Sequence, residues 1–198
     1  MRNYKMKRIG ITGGIGCGKS TVVAEFQKLG ILCFVADQVA ADYYKDTLFL
    51  DKIKGLFGDA VFDHCGAIDK RALANIVFSN RPTLEKLNNL VHPKVMQDFD
   101  IFCRKHEDQP YVLFESAILY DYHLDKYMHS VIGVYLDLDE RLRRLQLRDK
   151  TSEAEIRARI ANQIPAETIL EKADYIVLNY EGNPRARQVA YIDKQLRL

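Results

Sequence analysis

The sequence predicts an α/β fold in which a five-stranded parallel sheet carries helices on both faces. Continuous apolar runs at residues 7–12, 31–36, 111–114, 130–136 and 175–178 have the length and character of strands buried on both sides. Segments with apolar residues at helical spacing separate them, as parallel pairing demands. The total of 198 residues suits one such unit with insertions.

The first run is rich in Ile and stops at Gly13-Gly14, which suits a strand feeding a tight turn. From Ser20 onward Val22, Val23, Phe26 and Leu29 recur at helical spacing, and Gly30 stands where a left-handed C-terminal residue is wanted. The second run, ending at Asp37, completes a βαβ unit. Residues 39–110 show helical patterns, such as 71–78 and 84–91, and no convincing strand. They predict a helical insert over 45–104 between core segments 1–44 and 105–198. A second helical block follows the fourth strand, with Ser152 and Glu155 spaced as a capping box and Pro165 beyond it. It predicts a lid over 139–165 within the core. One amphipathic helix, 184–196, closes the chain, and no repeat of fixed period is present.

Apolar residues make up 47% and charged residues 28%, a balance that excludes a disordered or collagen-like chain. Lys and Arg number 29 against 27 acids, and a net charge of +2 gives no general pull toward nucleic acid or a membrane surface. Any anion site must be local. The apolar runs are far shorter than the ~18 residues that span a bilayer. The basic start, residues 1–8, leads straight into a strand without an apolar leader, so a cytoplasmic location is expected. Cys17, Cys33, Cys65 and Cys103 form no CxxC pair and are expected as free thiols. A monomer or weak homo-oligomer is the expected state.

Chemistry enters at Gly13-Gly14-Ile15-Gly16-Cys17-Gly18-Lys19-Ser20, which fits GxxxxGK[ST] and stands between a predicted strand and a predicted helix. This is the context of a phosphate-binding P-loop. Glycines let backbone N–H groups converge, the helix head adds positive potential, Lys19 reaches the β and γ phosphates, and the Ser20 hydroxyl suits Mg²⁺. Asp37 could take a proton from an acceptor hydroxyl or cap the next helix. Glu115 ends the third strand as a Walker B acid does, holding Mg²⁺ directly or through water, or else it caps or faces solvent. Arg141, Arg144 and Arg148 share a helical face and could aim three guanidiniums at transferring phosphates, or form a solvated basic face. Asp63-His64-Cys65-Gly66 fits the DxxG element of GTPases, but no NKxD accompanies it, since Asn179-Tyr180-Glu181-Gly182 lacks both Lys and Asp. A kinase is preferred to a nucleotide switch.

The wider pattern resembles the dephospho-coenzyme A kinase family over nearly the whole chain. Residues 11–21 are similar to that family's double-glycine P-loop, and Ala36-Asp37 resembles its DAD segment. Residues 70–73 and 87–93, with His92-Pro93, resemble its substrate-binding helical domain. Residues 144–149, Gln163, and 173–177 followed by Asn179 and Gly182 resemble its lid and adenine-side loop. The resemblance implies a three-layer P-loop kinase fold and transfer of the ATP γ-phosphoryl group to the ribose 3′-hydroxyl of dephospho-coenzyme A with Mg²⁺. ATP and that acceptor are the implied partners, with no nucleic acid and no membrane. It makes Asp37, Lys19 and Arg144 catalytic. Gly13, Gly14, Ile15, Gly16, Cys17, Gly18, Lys19, Ser20, Thr21, Arg144, Arg148, Asn179 and Gly182 fall at ATP. Asp37, Arg71, His92 and Leu119 fall at the acceptor, and Ser20 and Glu115 at Mg²⁺. Departures are Cys17 in place of Ser, Val35 in place of an acid, Ala41 in place of Arg, and a segment, Ala117 to Asp121, without its proline. Cys17 is expected to serve through its backbone, and His92 to shape the substrate domain.

Overall fold

The computed structural model describes residues 6–198, leaving aside the side chains of Phe78 and Ser79. Residues 1–5, most of the basic start, lie outside the described residues. Two compact units divide them: residues up to Val35 with Cys103–Leu198, and Ala36–Phe102.

The first unit holds the sheet. Strands β1 (Lys7–Thr12), β2 (Cys33–Val35), β3 (Tyr111–Glu115), β4 (Ser130–Tyr135) and β5 (Tyr175–Leu178) pair in parallel in the order β2-β3-β1-β4-β5. The central β1 sets Ile11 opposite Glu115 of β3 and Ile132 of β4. Side chains alternate across the sheet, so the two faces receive different partners. Ile9 and Ile11 enter a core with Val22 and Phe26 of α1 (Lys19–Lys28) and Val189 and Ile192 of α9 (Arg185–Leu196). On the other face Gly10 lies against Leu119, and Gly133 against Ile169 of α8 (Ala166–Lys172). Leu119, fully buried there, is a core residue.

Between β4 and α8 stands a helical hairpin, α6 (Leu138–Asp149) and α7 (Glu153–Ala161). The expected capping box forms, with Ser152 Oγ accepting from the Glu155 N–H and the Glu155 carboxylate accepting from the Ser152 N–H. Hydrogen bonds from Thr151 and Ser152 hold that carboxyl at about 2.

The second unit contains α2 (Ala36–Tyr43), α3 (Thr47–Phe57), α4 (Lys70–Ser79) and most of α5 (Arg81–Lys105). Tyr43 donates to Asp98 at 2.6 Å and carries the Lys94 ammonium over its ring, which ties α2 to α5. Helix α5 runs through Pro93, where the sequence pattern marked only 84–91. Proline removes one N–H from the ladder, and the apolar residues on both sides carry the helix past it. β2 is shorter than its apolar run because Ile31 and Leu32 precede the strand and the chain turns helical at Ala36. Asp37 accordingly sits inside the first turn of α2 and not at its cap.

Candidate active site

The loop after β1 leads straight into α1, and its last residue, Gly18, has φ 85° and ψ 37°. A side chain there would strike the Asn179 amide, so only glycine fits. The head of α1 has no side-chain cap and no acid in its first turn. The Thr21 N–H donates to the Gly18 carbonyl at 3.1 Å, and the positive dipole end of the helix ahead of it favours an external anion. Lys19 Nζ donates to the Gly13 carbonyl at 2.8 Å, which places the ammonium across the mouth of the loop. Ser20 and Thr21 are exposed in the first helical turn.

Glu115 ends β3, next to the P-loop strand in the sheet, and is half-buried. Burial, together with the Glu115 charge, pushes the neighbouring Cys33 thiol up to about 12. The Ser20 hydroxyl and Glu115 carboxylate are hard oxygen donors. Mg²⁺ usually takes one or two protein oxygens and fills its shell with phosphates and water, so this donor set fits it.

The back of the loop is built from the hairpin and the end of β5. Arg141, expected to face phosphate, is buried, and its Nε donates to the Ile15 carbonyl at 2.9 Å. Ile15 in turn packs on Leu142, Leu145 and Ile156. Cys17 is buried, and burial raises its thiol pKa despite the Lys19 charge nearby. Asn179, expected at the adenine side, is fully buried: its Nδ2 donates to the Cys17 carbonyl at 2.7 Å and its Oδ1 accepts from Arg185 at 2.8 Å. The side chains of Arg141 and Asn179 are engaged in supporting the loop.

Arg144 and Arg148 keep the outer side of α6. Arg144 donates to Glu140 at 2.7 Å and to the Asn179 carbonyl at 3.3 Å. Arg143 first, then Arg144, holds the Glu140 carboxyl at about 2. Arg148 is exposed and pairs with Asp149 at 2.6 Å. Gly182 is exposed with φ 78°.

In the second unit Asp37 is exposed on α2, and Arg71 is exposed in the first turn of α4, where Asp69 caps the helix by accepting from the Arg71 and Ala72 amides. His92 is half-buried on α5, and burial lowers its pKa. The DxxG-like segment is a tight turn whose Asp63 carboxylate accepts from the Cys65 and Ala67 amides, closed by a bridge between Phe62 and Ile68. A cavity of about 430 Å³ in this unit is walled by Asp51, Asp59 and Asp63, with Lys54 already paired to Asp59 at 2.6 Å. Such a wall repels a polyanion.

Gln163 was visible in the sequence only through resemblance, and nothing marked Arg141 as a support except its place four residues before the buried Leu145. Gln163 Oε1 accepts from the Ile15 N–H at 2.8 Å.

A helix head without a side-chain cap, crossed by a lysine and placed after the central strand of this sheet, gives the protein the phosphate-binding loop and fold that P-loop kinases carry. The dephospho-CoA kinase family model matches residues 7–184, and the chain belongs to that family. It is 33% identical over 171 residues to the dephospho-CoA kinase of Fusobacterium nucleatum, covering 86% of this chain and 88% of that one. Among solved structures, TT1252 of Thermus thermophilus superposes with a TM-score of 0.87 at 31% identity, covering 96% of this chain and 97% of the other. The dephospho-CoA kinase of Campylobacter jejuni gives 0.60 at 26%, covering 97% and 98%.

Proposed function

We propose that this kinase transfers the γ-phosphoryl group of ATP to the ribose 3′-hydroxyl of dephospho-coenzyme A, giving coenzyme A and ADP, the last step of coenzyme A biosynthesis. The observation that carries this reading is the family match across residues 7–184, joined to an uncapped, Lys19-headed α1. In the reaction the acceptor oxygen forms a bond to the γ-phosphorus, the bond to the β–γ bridging oxygen breaks, and ADP leaves. The acceptor proton goes to the Asp37 carboxylate, an exposed group in the first turn of α2.

Phosphoryl transfer rests on positioning and charge more than on covalent chemistry. The loop amides hold the β-phosphate, Lys19 follows the charge that shifts onto the leaving oxygen, and Arg144 and Arg148 meet the equatorial oxygens from α6. Glu140 and the Asn179 carbonyl hold Arg144 by Nε and Nη2, and Nη1 is the nitrogen it offers to the phosphoryl group. Ser20, with Glu115 directly or through water, would hold Mg²⁺, which would supply neutralisation of phosphate charge. Arg71 and His92 belong to the acceptor side, the first as an exposed cation and the second as a half-buried support. Residues 139–165 act as the lid and residues 45–104 as the substrate insert. The reading includes a cytoplasmic site of action and a monomer or weak homo-oligomer; no described helix is long and apolar enough to cross a membrane.

The test is ADP formation from ATP and Mg²⁺ with dephospho-coenzyme A, run beside adenosine, nucleoside monophosphates and shikimate, with product mass checked for one added phosphate. Selective conversion of dephospho-coenzyme A is expected. Turnover of another acceptor in its place overturns the proposal and leaves the kinase class standing.

A further inference from the structure

Ile15 lies between two glycines, Gly14 and Gly16, and Gly16 has φ 82°. A Gly-Ile-Gly segment has little steric restraint of its own, and the bond from the Cys17 N–H to the Gly14 carbonyl, at 3.2 Å, spans it without bonding either peptide group of Ile15. Yet the direction of the amides that follow it, from Gly16 to Lys19, depends on how those planes are set.

Both peptide groups flanking the Ile15 Cα are held from outside the loop. The N–H side is bonded by Gln163 Oε1 at 2.8 Å, and the C=O side by Arg141 Nε at 2.9 Å. The Ile15 side chain is fixed by Leu142 and Leu145 of α6 and Ile156 of α7. All of these anchors belong to the α6–α7 hairpin or its exit. Gln163 itself is fixed: its own N–H donates to the Ile160 carbonyl at 3.0 Å, closing the turn after α7. The exit of the hairpin is therefore bonded back to α7 on one side and to the tip of the phosphate loop on the other.

We propose that Gln163 is a positioning residue for phosphoryl transfer. It touches no phosphate; it acts through Ile15, holding the loop tip so that the following amides converge, and it links the lid hairpin to that arrangement. The inference rests on the kinase reading, so its test includes an arm that needs no acceptor. Gln163→Met keeps length and volume but removes the acceptor, whereas Gln163→Glu keeps an acceptor oxygen for the Ile15 N–H.

The experiment measures kcat and KM for each substrate, ADP binding by calorimetry, and the thermal midpoint of wild type and both variants. Loss of a hydrogen bond that organises the site predicts ~10-fold weaker ADP binding and a ~10-fold lower kcat for Gln163→Met, with KM for the acceptor within about twofold of wild type. Gln163→Glu should recover both quantities to within about threefold. The proposal is overturned if Gln163→Met binds ADP and turns over like wild type, or if Gln163→Glu is as impaired as Gln163→Met. It is also overturned if only the thermal midpoint falls. Should wild type itself fail on dephospho-coenzyme A, the functional reading falls while the ADP arm still decides the role of Gln163.

Discussion

Replacing Asn179 by Ala separates a residue that supports the phosphate loop from one that touches adenine. The wild-type side chain is fully buried, donates to the Cys17 carbonyl at 2.7 Å and accepts from Arg185 at 2.8 Å. Truncation leaves the Cys17 carbonyl without that donor in a dry site, which costs about 1–3 kcal/mol. Arg185 is only half-buried and can turn to water, so its loss adds about 0.5–1 kcal/mol. The sum is about 1.5–4 kcal/mol, which for a chain of this size lowers the thermal midpoint by about 3–16 °C. Scanning calorimetry without nucleotide measures it. Asn179→Asp serves as control, since it keeps an acceptor for Arg185 but sets oxygen against the Cys17 oxygen, and it should lose at least as much. A midpoint within about 1 °C of wild type, with a raised KM for ATP, would refute the assignment and restore a direct adenine contact.

Asp37→Asn should leave ADP binding within about twofold and cut kcat by ~10² or more if the carboxylate takes the acceptor proton; near-normal turnover sinks that role. Titration of native protein with a thiol reagent should show one fast equivalent, lost in Cys65→Ser, because Cys65 is exposed while Cys17 and Cys103 are buried and Cys33 is pushed to about 12. Rapid labelling of Cys17 with loss of activity would contradict the burial seen for it. Burial lowers the His92 pKa below its ordinary 6.5, so the unfolded chain takes up this proton first. The stability it contributes is whole above pH 6.5 and is lost as pH falls below that toward the folded value, at no more than about 1.4 kcal/mol per pH unit. His92→Gln should flatten urea-unfolding stability between pH 7.5 and 5.5; an unchanged slope argues against it.

The strands and the phosphate loop were legible because their signals are local. A continuous apolar run between turn residues has few readings, and GxxxxGKS after such a run has fewer. The capping box at Ser152 and Glu155 was equally local, and it formed as spaced. What the sequence hid depends on contacts distant in the chain. Arg141 shares a helical face with Arg144 and Arg148, and by spacing alone all three point alike; Ile15, 126 positions away, draws the first of them inward. Asn179 reads as a loop residue until Cys17, 162 positions earlier, claims its amide. The burial of Leu119 depends likewise on a distant residue, since the lack of a side chain at Gly10 opens the slot that it fills.

The glycines of the loop are usually explained by the phosphates in front of them, but here the space behind is at least as demanding. A Cβ on Gly13 would stand 2.5 Å from the Val134 carbonyl, and one on Gly14 would stand 2.5 Å from the Arg141 guanidinium. Neither atom belongs to a ligand. The first belongs to the neighbouring strand β4 and cannot yield, because its backbone is locked in the sheet between β1 and β5. The second can swing aside, but only by giving up its bond to the Ile15 carbonyl. Substitution at Gly13 should therefore disturb folding, while substitution at Gly14 should spare the fold and disturb the loop tip. The glycine signature thus records two constraints, a rigid strand and a helical hairpin pressed close, and the phosphate site is the concave surface left between them and the head of α1.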